Sequence, residues 1–315
     1  MCAVTDPTTI EHSFIVENEC HGWRLDRFLK KRIPRMSRVR LQRVIRGDCE
    51  VDGRAGKPSL LVAPGQRVTF RRPAPVEPEF PRALPLVYED AAFYVFDKPA
   101  GLTMHPTAKY YHGTVTSVLR EHFPSEALQI THRLDRETSG LILVARNYDA
   151  AVNLKRAFAR RLVKKRYLAI VHGKLEGEGV IDAPIDLEPA GRVRVRMAVS
   201  PSGQPSRTRY RALEYSDEHS LVECFPETGR QHQIRVHLSH IGHAIVGDKL
   251  YPDENIFADY QEQGWSSVAD RVPLPRHALH AAQIEFPHPL SGVPVMVKTD
   301  LATDLARFFY QLNNK

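Results

Sequence analysis

The sequence predicts an α+β protein in two parts: a small basic module of two helices and a β ribbon, then a larger body with a largely antiparallel, mixed sheet. Three observations predict it. Residues 21–72 hold 15 Lys/Arg against 4 Asp/Glu, although the whole chain of 315 residues carries only +7. A proline-rich stretch, RPAPVEPEFPRALP at 72–85, follows that segment. Beyond it, apolar strand-like runs outnumber helical ones, which favours α+β over a doubly wound fold.

The elements follow in order. RLDRFLKKRI at 24–33 puts Leu25, Phe28, Leu29 and Ile33 at helical spacing, and Pro34 limits the helix. Ser37 is placed to cap a second helix, SRVRLQRVIRG, with Gly47 closing it. Leu41, Val44 and Ile45 share one side of that helix, while Arg38, Arg40, Arg43 and Arg46 spread over the other. CEVDGR reads as a strand and turn, with Asp52-Gly53 as the turn signal, and PGQRVTF as a closing strand. Residues 1–13 then form a tail, 14–72 the module, 73–85 a stiff extended linker and 86–315 the body.

In the body, FYVFDKP, LILVAR, RYLAIVHG, SRTRYRALEY, LVECFP and GVPVMVK read as strands. DAAVNLKRAFARRLVKK reads as a helix with Leu154, Phe158 and Leu162 inward. RQHQIRVHLSHI reads as another, with Ile234, Leu238 and Ile241 on one stripe.

Composition excludes several classes. No apolar run approaches the roughly 20 residues of a membrane span, and the first residues lack the pattern of a secretory signal. Cys2, Cys20, Cys49 and Cys224 are scattered without a CxxC pair, against a zinc ribbon or disulfide framework and in keeping with a reducing cytoplasm. His232, His237, His240 and His243 lie close in sequence, but their spacing is not the i, i+4 of a helical zinc site and no carboxylate lies among them; no metal is expected. Nothing suggests a coiled coil or a dimer strip, so a monomer is expected. The concentrated positive charge points to a polyanion partner, nucleic acid first.

RLDR occurs twice, at 24–27 and at 133–136. Asp26, in the first copy, sits in the first turns of an amphipathic helix, can pair with Lys30 at i+4, and reads as structural. Asp135, in the second, lies in a polar loop just ahead of an apolar strand, with Gly140 allowing close backbone approach. Local sequence alone leaves open whether it merely bridges Arg133 and Arg136 or does chemistry.

The wider pattern bears on that choice. Residues 24–72 resemble an S4-type RNA-binding domain, in which the arginine-rich helical face, here Arg38, Arg40, Arg43 and Arg46, lies on RNA. DKPAGLTMHP, HRLDRETSGLILVAR, KKRYLAIVHG and ETGRQHQIRVHLSHIGHAIVGDKLY, in that order over residues 85–300, resemble the RluA-type family of pseudouridine synthases. The resemblance implies isomerisation of uridine in RNA without cofactor or metal. It puts the catalytic aspartate on Asp135, the active-site tyrosine on Tyr167 and the paired arginine on Arg230, with Arg133 as a local alternative partner. Whether Asp135 attacks C1′, attacks the base or abstracts a proton stays open. Tyr167 equally suits a strand residue in the core, and Ile234 suits either a cavity wall or plain packing. His132 and Arg133 are expected to orient the aspartate loop or touch phosphate; Lys98, Pro99 and Gly101 are expected to be architectural. The basic helix with Lys155, Arg156, Arg160, Arg161, Lys164, Lys165 and Arg166 suits backbone contacts or a solvated face equally.

Large-subunit ribosomal RNA ranks first as substrate and transfer RNA second. The rivals are a non-catalytic RNA-binding or ribosome-assembly protein, and a glycosidase using Asp135 with Glu137.

Overall fold

The structure is a computed structural model that describes residues 9–34, 36–73, 77–107, 110–188, 191, 193–251 and 253–313. Cys2, residues 1–8 of the expected tail and residues 74–76 of the proline-rich stretch lie outside the described residues. The chain divides into two compact units, 1–77 and 78–315.

The first unit runs β1 (Thr9–Ile15), α1 (Leu25–Arg32), α2 (Arg38–Asp48), β2 (Cys49–Val51), β3 (Arg54–Ala55) and β4 (Arg67–Pro73). Its sheet has the order β1-β4-β2-β3. The apolar stripes of both helices meet that sheet: Leu25, Phe28, Leu29, Leu41 and Ile45 pack with Val51, Val68 and Phe70. Ser37 caps α2 through the Arg40 N–H. Asp52 and Gly53, with φ of 48° and 76°, make the β2–β3 turn that needs two positive φ angles. Two expectations differ from the structure. Thr9–Ser13, placed in the tail, belong to β1, paired to β4 in full register. Gly47 lies inside α2, because Cys49 passes directly into β2 in extended conformation and no left-handed closing residue is needed.

The second unit runs β5 (Leu86–Glu89), β6 (Phe93–Lys98), α3 (Val115–His122), β7 (Gln129–Ile130), β8 (Ser139–Ala145), α4 (Tyr148–Ala159), β9 (Lys164–His172), β10 (Glu178–Asp182), β11 (Ile185–Leu187), β12 (Met197–Val199), β13 (Arg207–Tyr215), β14 (His219–Pro226), α5 (Gln233–His240), α6 (Glu254–Gln263), β15 (Leu279–Pro287), β16 (Pro294–Lys298) and α7 (Thr303–Asn313). Among the described residues a ten-stranded sheet has the order β10-β13-β14-β9-β15-β8-β6-β5, with β16 on β15 and β7 on β8. Its pairings are antiparallel except that of β15 with β8. The class is α+β, as the sequence predicts.

Strands β6 and β8 are buried on both faces, which is why they read as continuous apolar runs. Phe93, Val95, Leu141 and Leu143 face α4 and its Ala150 and Leu154. Tyr94, Phe96, Ile142 and Val144 belong to the opposite core, with α3, α5 and α7 contributing Val118, Leu238 and Leu305. Phe80 and Leu84 pack on that second core and the Asp97 N–H reaches Pro85 O, so the end of the proline-rich stretch lies on this unit.

The helix predicted through 149–165 stops at Ala159. Arg161 takes the left-handed region at φ 59°, and Lys164, Lys165 and Arg166 pair with β15 as the start of β9. Leu162, expected inward, is exposed. The basic helix face is therefore shorter than the charge run suggests.

Candidate active site

The loop 131–138 that carries Asp135 is fixed from several sides. Lys98, fully buried, donates to the carbonyls of Pro99, Leu102 and Arg136 at 2.9, 3.1 and 3.2 Å. The Gly101 N–H also donates to Arg136 O. Thr131 Oγ1 donates to Leu143 O at 2.7 Å, and Thr138 Oγ1 meets His277 Nε2 at the same distance. Beyond the loop, Gly140 has φ of 110°, and a Cβ there would stand 2.4 Å from Ala281 O. Only glycine lets β8 approach β15 so closely. The block Lys98–Gly101 thus acts as architecture. Burial pushes the Lys98 ammonium down to about 7 while the Asp135 charge pulls it up.

Asp135 Oδ2 accepts from Arg235 Nη1 at 2.9 Å. The same guanidinium donates through Nε at 2.6 Å and Nη2 at 2.9 Å to the two oxygens of Asp248. Asp248 also accepts the N–H groups of Leu250 and Tyr251 through Oδ1. Burial pushes the Asp135 carboxyl up, but neighbouring positive charge outweighs it and the group is held below its ordinary range. His232 Nε2 lies 3.9 Å from Asp135, yet burial holds that imidazole to about 4, so it is neutral near pH 7. Arg235 is the cation that persists.

This corrects the sequence assignment of the pair. Arg230 lines the same cavity, but its Nε reaches Pro205 O over a long 3.5 Å, and the ion pair belongs to Arg235. Both arginines stand in the GRQHQIR block. Arg235 sits in the first turn of α5, and Arg230 stands in the loop ahead of it. Between them His232 takes the left-handed region at φ 55° and caps α5, its Nδ1 meeting Tyr251 Oη at 3.1 Å.

A cavity of about 100 Å³ opens over Asp135; Arg133, Lys165, Tyr167, Arg230, His232, Ile234 and Arg235 contribute to its wall. Tyr167 projects from β9 and is nearly buried; burial first, then the Asp135 charge, raises its phenol, which keeps its proton. Ile234 both lines the cavity and packs in the core, so its two readings are one fact. Arg133 is at the cavity and exposed. His132 turns elsewhere: its Nε2 accepts the Leu143 N–H at 3.0 Å, its ring stacks on Phe158, and burial lowers it to about 3. It orients the loop as a neutral ring. Asp135 is the one acidic side chain of the lining. Glu137 is occupied by Lys249 at 2.9 Å and Arg136 at 3.0 Å, so the paired acids of a glycosidase are not assembled here.

The histidine cluster serves the fold. His237 uses both ring nitrogens, on Thr208 Oγ1 and Ala183 O, and His243 Nδ1 meets His172 O. Among the described residues the grouping with metal-ligand proximity is Glu17, Glu19 and Cys20, where Lys31 already bonds both carboxylates.

In the first unit, Asp26 is fully buried and receives Arg24 at 3.1 Å, Arg38 at 3.2 Å and Gln42 at 3.0 Å, not Lys30. Arg24 first, then Gln42 and Arg38, hold its carboxyl far below the usual range against the pull of burial. Lys30 instead donates to the carbonyls of Pro34 and Met36. Asp26 is structural, and Arg38, expected on RNA, ties α2 to α1. Arg40, Arg43 and Arg46 stay exposed, with no ion pair among the described residues.

Comparison with known proteins accords with this geometry. Residues 92–240 match the RNA pseudouridylate synthase family. A ribosomal large subunit pseudouridine synthase D of Nitrosomonas europaea is 40% identical over 95% of this chain and 87% of its own length. The chain belongs to the RluA-type family of RNA pseudouridine synthases. A synthase of the same name from Xanthomonas campestris is 38% identical over 95% of this chain and 91% of its own. The solved human RNA Pseudouridylate Synthase Domain Containing 1 is 29% identical, covers 76% of this chain and 98% of its own, and superposes with a TM-score of 0.58. As an RNA pseudouridine synthase, the enzyme isomerises uridine in RNA.

Asp248, Arg235 and His232 are the site residues that sequence reasoning missed. The one available signal was the block length, since HQIRVHLSHIGHAIVGD carries all three.

Proposed function

We propose that this synthase acts on large-subunit ribosomal RNA, with Asp135 as the reacting carboxylate and residues 14–72 as an S4-type RNA-binding module. The observation that carries the chemistry is the Arg235–Asp135 pair beneath a cavity walled by Tyr167 and Ile234. The names of the relatives support the choice of RNA. The exposed Arg40, Arg43 and Arg46 support the module.

Pseudouridylation breaks the N1–C1′ bond, joins C5 to C1′, releases the C5 proton and returns a proton to N1; mass is unchanged. Asp135 is ionised before substrate arrives, so it can meet C1′, the base or a ribose proton without first losing its own. Arg235 keeps it charged when the substrate excludes water. The target uridine must leave its stack at a cost of a few kcal/mol. The Tyr167 ring offers a face to the flipped base. Arg133, exposed at the mouth, and Arg230 add positive charge for the RNA strand. The cysteines Cys20, Cys49 and Cys224 are free, and no helix of the described residues is long and apolar enough to cross a membrane. The free thiols suit a reducing cytoplasm, the location we propose, with the enzyme acting as a monomer.

Tritium release from C5-labelled uridine in unmodified large-subunit ribosomal RNA, and separately in transfer RNA, tests the reading. Release from the ribosomal RNA that vanishes in Asp135→Ala while RNA binding persists supports it. Release from transfer RNA alone overturns the substrate, and undiminished release by the variant overturns the role of Asp135.

A further inference from the structure

Lys165 and Tyr167 stand two residues apart on β9 and so project from the same face of the strand. Both line the cavity over Asp135. Unlike its neighbours, Lys165 has no hydrogen bond and no carboxylate within 4.0 Å among the described residues. The Lys164 ammonium before it bonds Glu285, and the Arg166 guanidinium after it bonds Glu223. Gly229 stands beside the ammonium, since an added Cβ there would lie 3.8 Å from the Lys165 Nζ.

The charge around the cavity is unbalanced. Arg133 and Arg230 also lack an acidic partner among the described residues, and the one acidic side chain of the lining, Asp135, is already matched by Arg235. A half-buried cation without a counter-charge is a ready partner for an anionic ligand. Uracil and ribose are neutral, so the negative charge a flipped nucleotide brings lies on its flanking phosphates. We propose that the Lys165 ammonium binds a phosphate of the nucleotide being isomerised, and so sets how deeply that nucleotide seats beside Tyr167. The assignment rests on the RNA-isomerising reading of this cavity. Arg133 is exposed at the rim, and Arg230 already reaches toward Pro205 O, whereas the half-buried Lys165 shares its strand face with Tyr167. Burial alone pulls the Lys165 ammonium down from its ordinary range, and an incoming phosphate would restore it. A compact ammonium suits a single phosphate oxygen.

The test uses the full chain and whichever RNA the wild type modifies, so a wrong guess about the RNA class leaves it intact. Tritium release is followed with Lys165→Met and Lys165→Arg, on RNA with ordinary linkages and on RNA with one neutral methylphosphonate 5′ or 3′ of the target uridine. Lys165→Met is expected to raise KM about tenfold or more, with a much smaller change in kcat, and Lys165→Arg to recover most of it. The salt slope of binding should fall by about one in the Met variant, as for a single phosphate left unneutralised. One of the two neutral linkages should cost the wild type about as much, and cost Lys165→Met nothing further. Losses that multiply for both linkages, or a wild type indifferent to both, would overturn the proposal; the second outcome decides even if Lys165→Met fails to fold.

Discussion

Arg235 Nη1 donates to Asp135 Oδ2 at 2.9 Å while the rest of the same guanidinium is taken by Asp248. The arginine is therefore a fixed post and not a mobile counter-ion. Its position is set by a buried carboxylate that does not line the cavity, and Asp135 is charged against that post. Arg235→Met would strand the Asp248 carboxylate without its cation. We expect a loss of about 3–5 kcal/mol in urea unfolding, together with loss of tritium release. Arg230→Met should leave stability within about 0.5 kcal/mol. The opposite ranking would return the pair to Arg230.

Acid should weaken the second unit before its carboxylates titrate. Burial holds His132 to about 3, and His232 and His280 to about 4, against 6.5 in the unfolded chain. Below 6.5 the unfolded state takes up protons that the native state refuses. The stability is complete above 6.5 and is lost as pH falls toward those folded values. A group such as His280, fully buried, accounts for about 2 kcal/mol between about pH 6.5 and about pH 5. Urea midpoints at about pH 7.5 and about pH 5 check this, with an unchanged m-value. Equal midpoints would mean that these rings are not held neutral. The contributions of Asp135 and Asp26, whose carboxyls are depressed, are lost only at still lower pH.

Gly140 and Gly229 make a paired test of backbone approach. Gly140→Ala sets a Cβ 2.4 Å from Ala281 O and 2.5 Å from Ala281 N at a positive φ, against backbone that cannot turn away. A loss on the order of 3 kcal/mol or more is expected in chemical denaturation. Gly229→Ala meets only Lys165 Nζ at 3.8 Å and should fall within about 0.5 kcal/mol. Equal effects would refute the close approach of β8 and β15.

The arginines of α2 should separate by role. Arg40→Gln, Arg43→Gln and Arg46→Gln combined should weaken RNA binding and lower its salt slope, by about one for each phosphate no longer neutralised, with little change in unfolding. Arg38→Gln removes a partner of buried Asp26, and its main effect should be on stability. Binding that survives the triple change at low salt would argue against the RNA-facing role of this helix.

The parts of the fold legible in the sequence are those written in local pattern. Strands such as LILVAR announce themselves through branched apolar runs, and Asp135 and Tyr167 through motifs placed against such strands. β15 is silent because LHAAQIEFP contains two alanines, a histidine and a glutamine; its strand conformation comes from neighbours on both sides. The arginine partner is ambiguous because two arginines share one short block, and the left-handed turn at His232 that orients them carries no glycine signature. Asp248 looks like an ordinary turn residue in VGDKLY, since its partner is thirteen residues away.

β15 also joins the two halves of the cavity wall. Asp135 hangs from the β8 side of the sheet and Tyr167 from β9, and β15 lies between those two strands. On the ribosome both groups emerge well before Leu279 does. Until that segment inserts, the two halves have no common strand to align them. A chain truncated ahead of residue 279 would carry Asp135 and Tyr167 yet lack the strand that lies between theirs. The two halves of the site are thus joined through a strand that comes later in the chain than either of them.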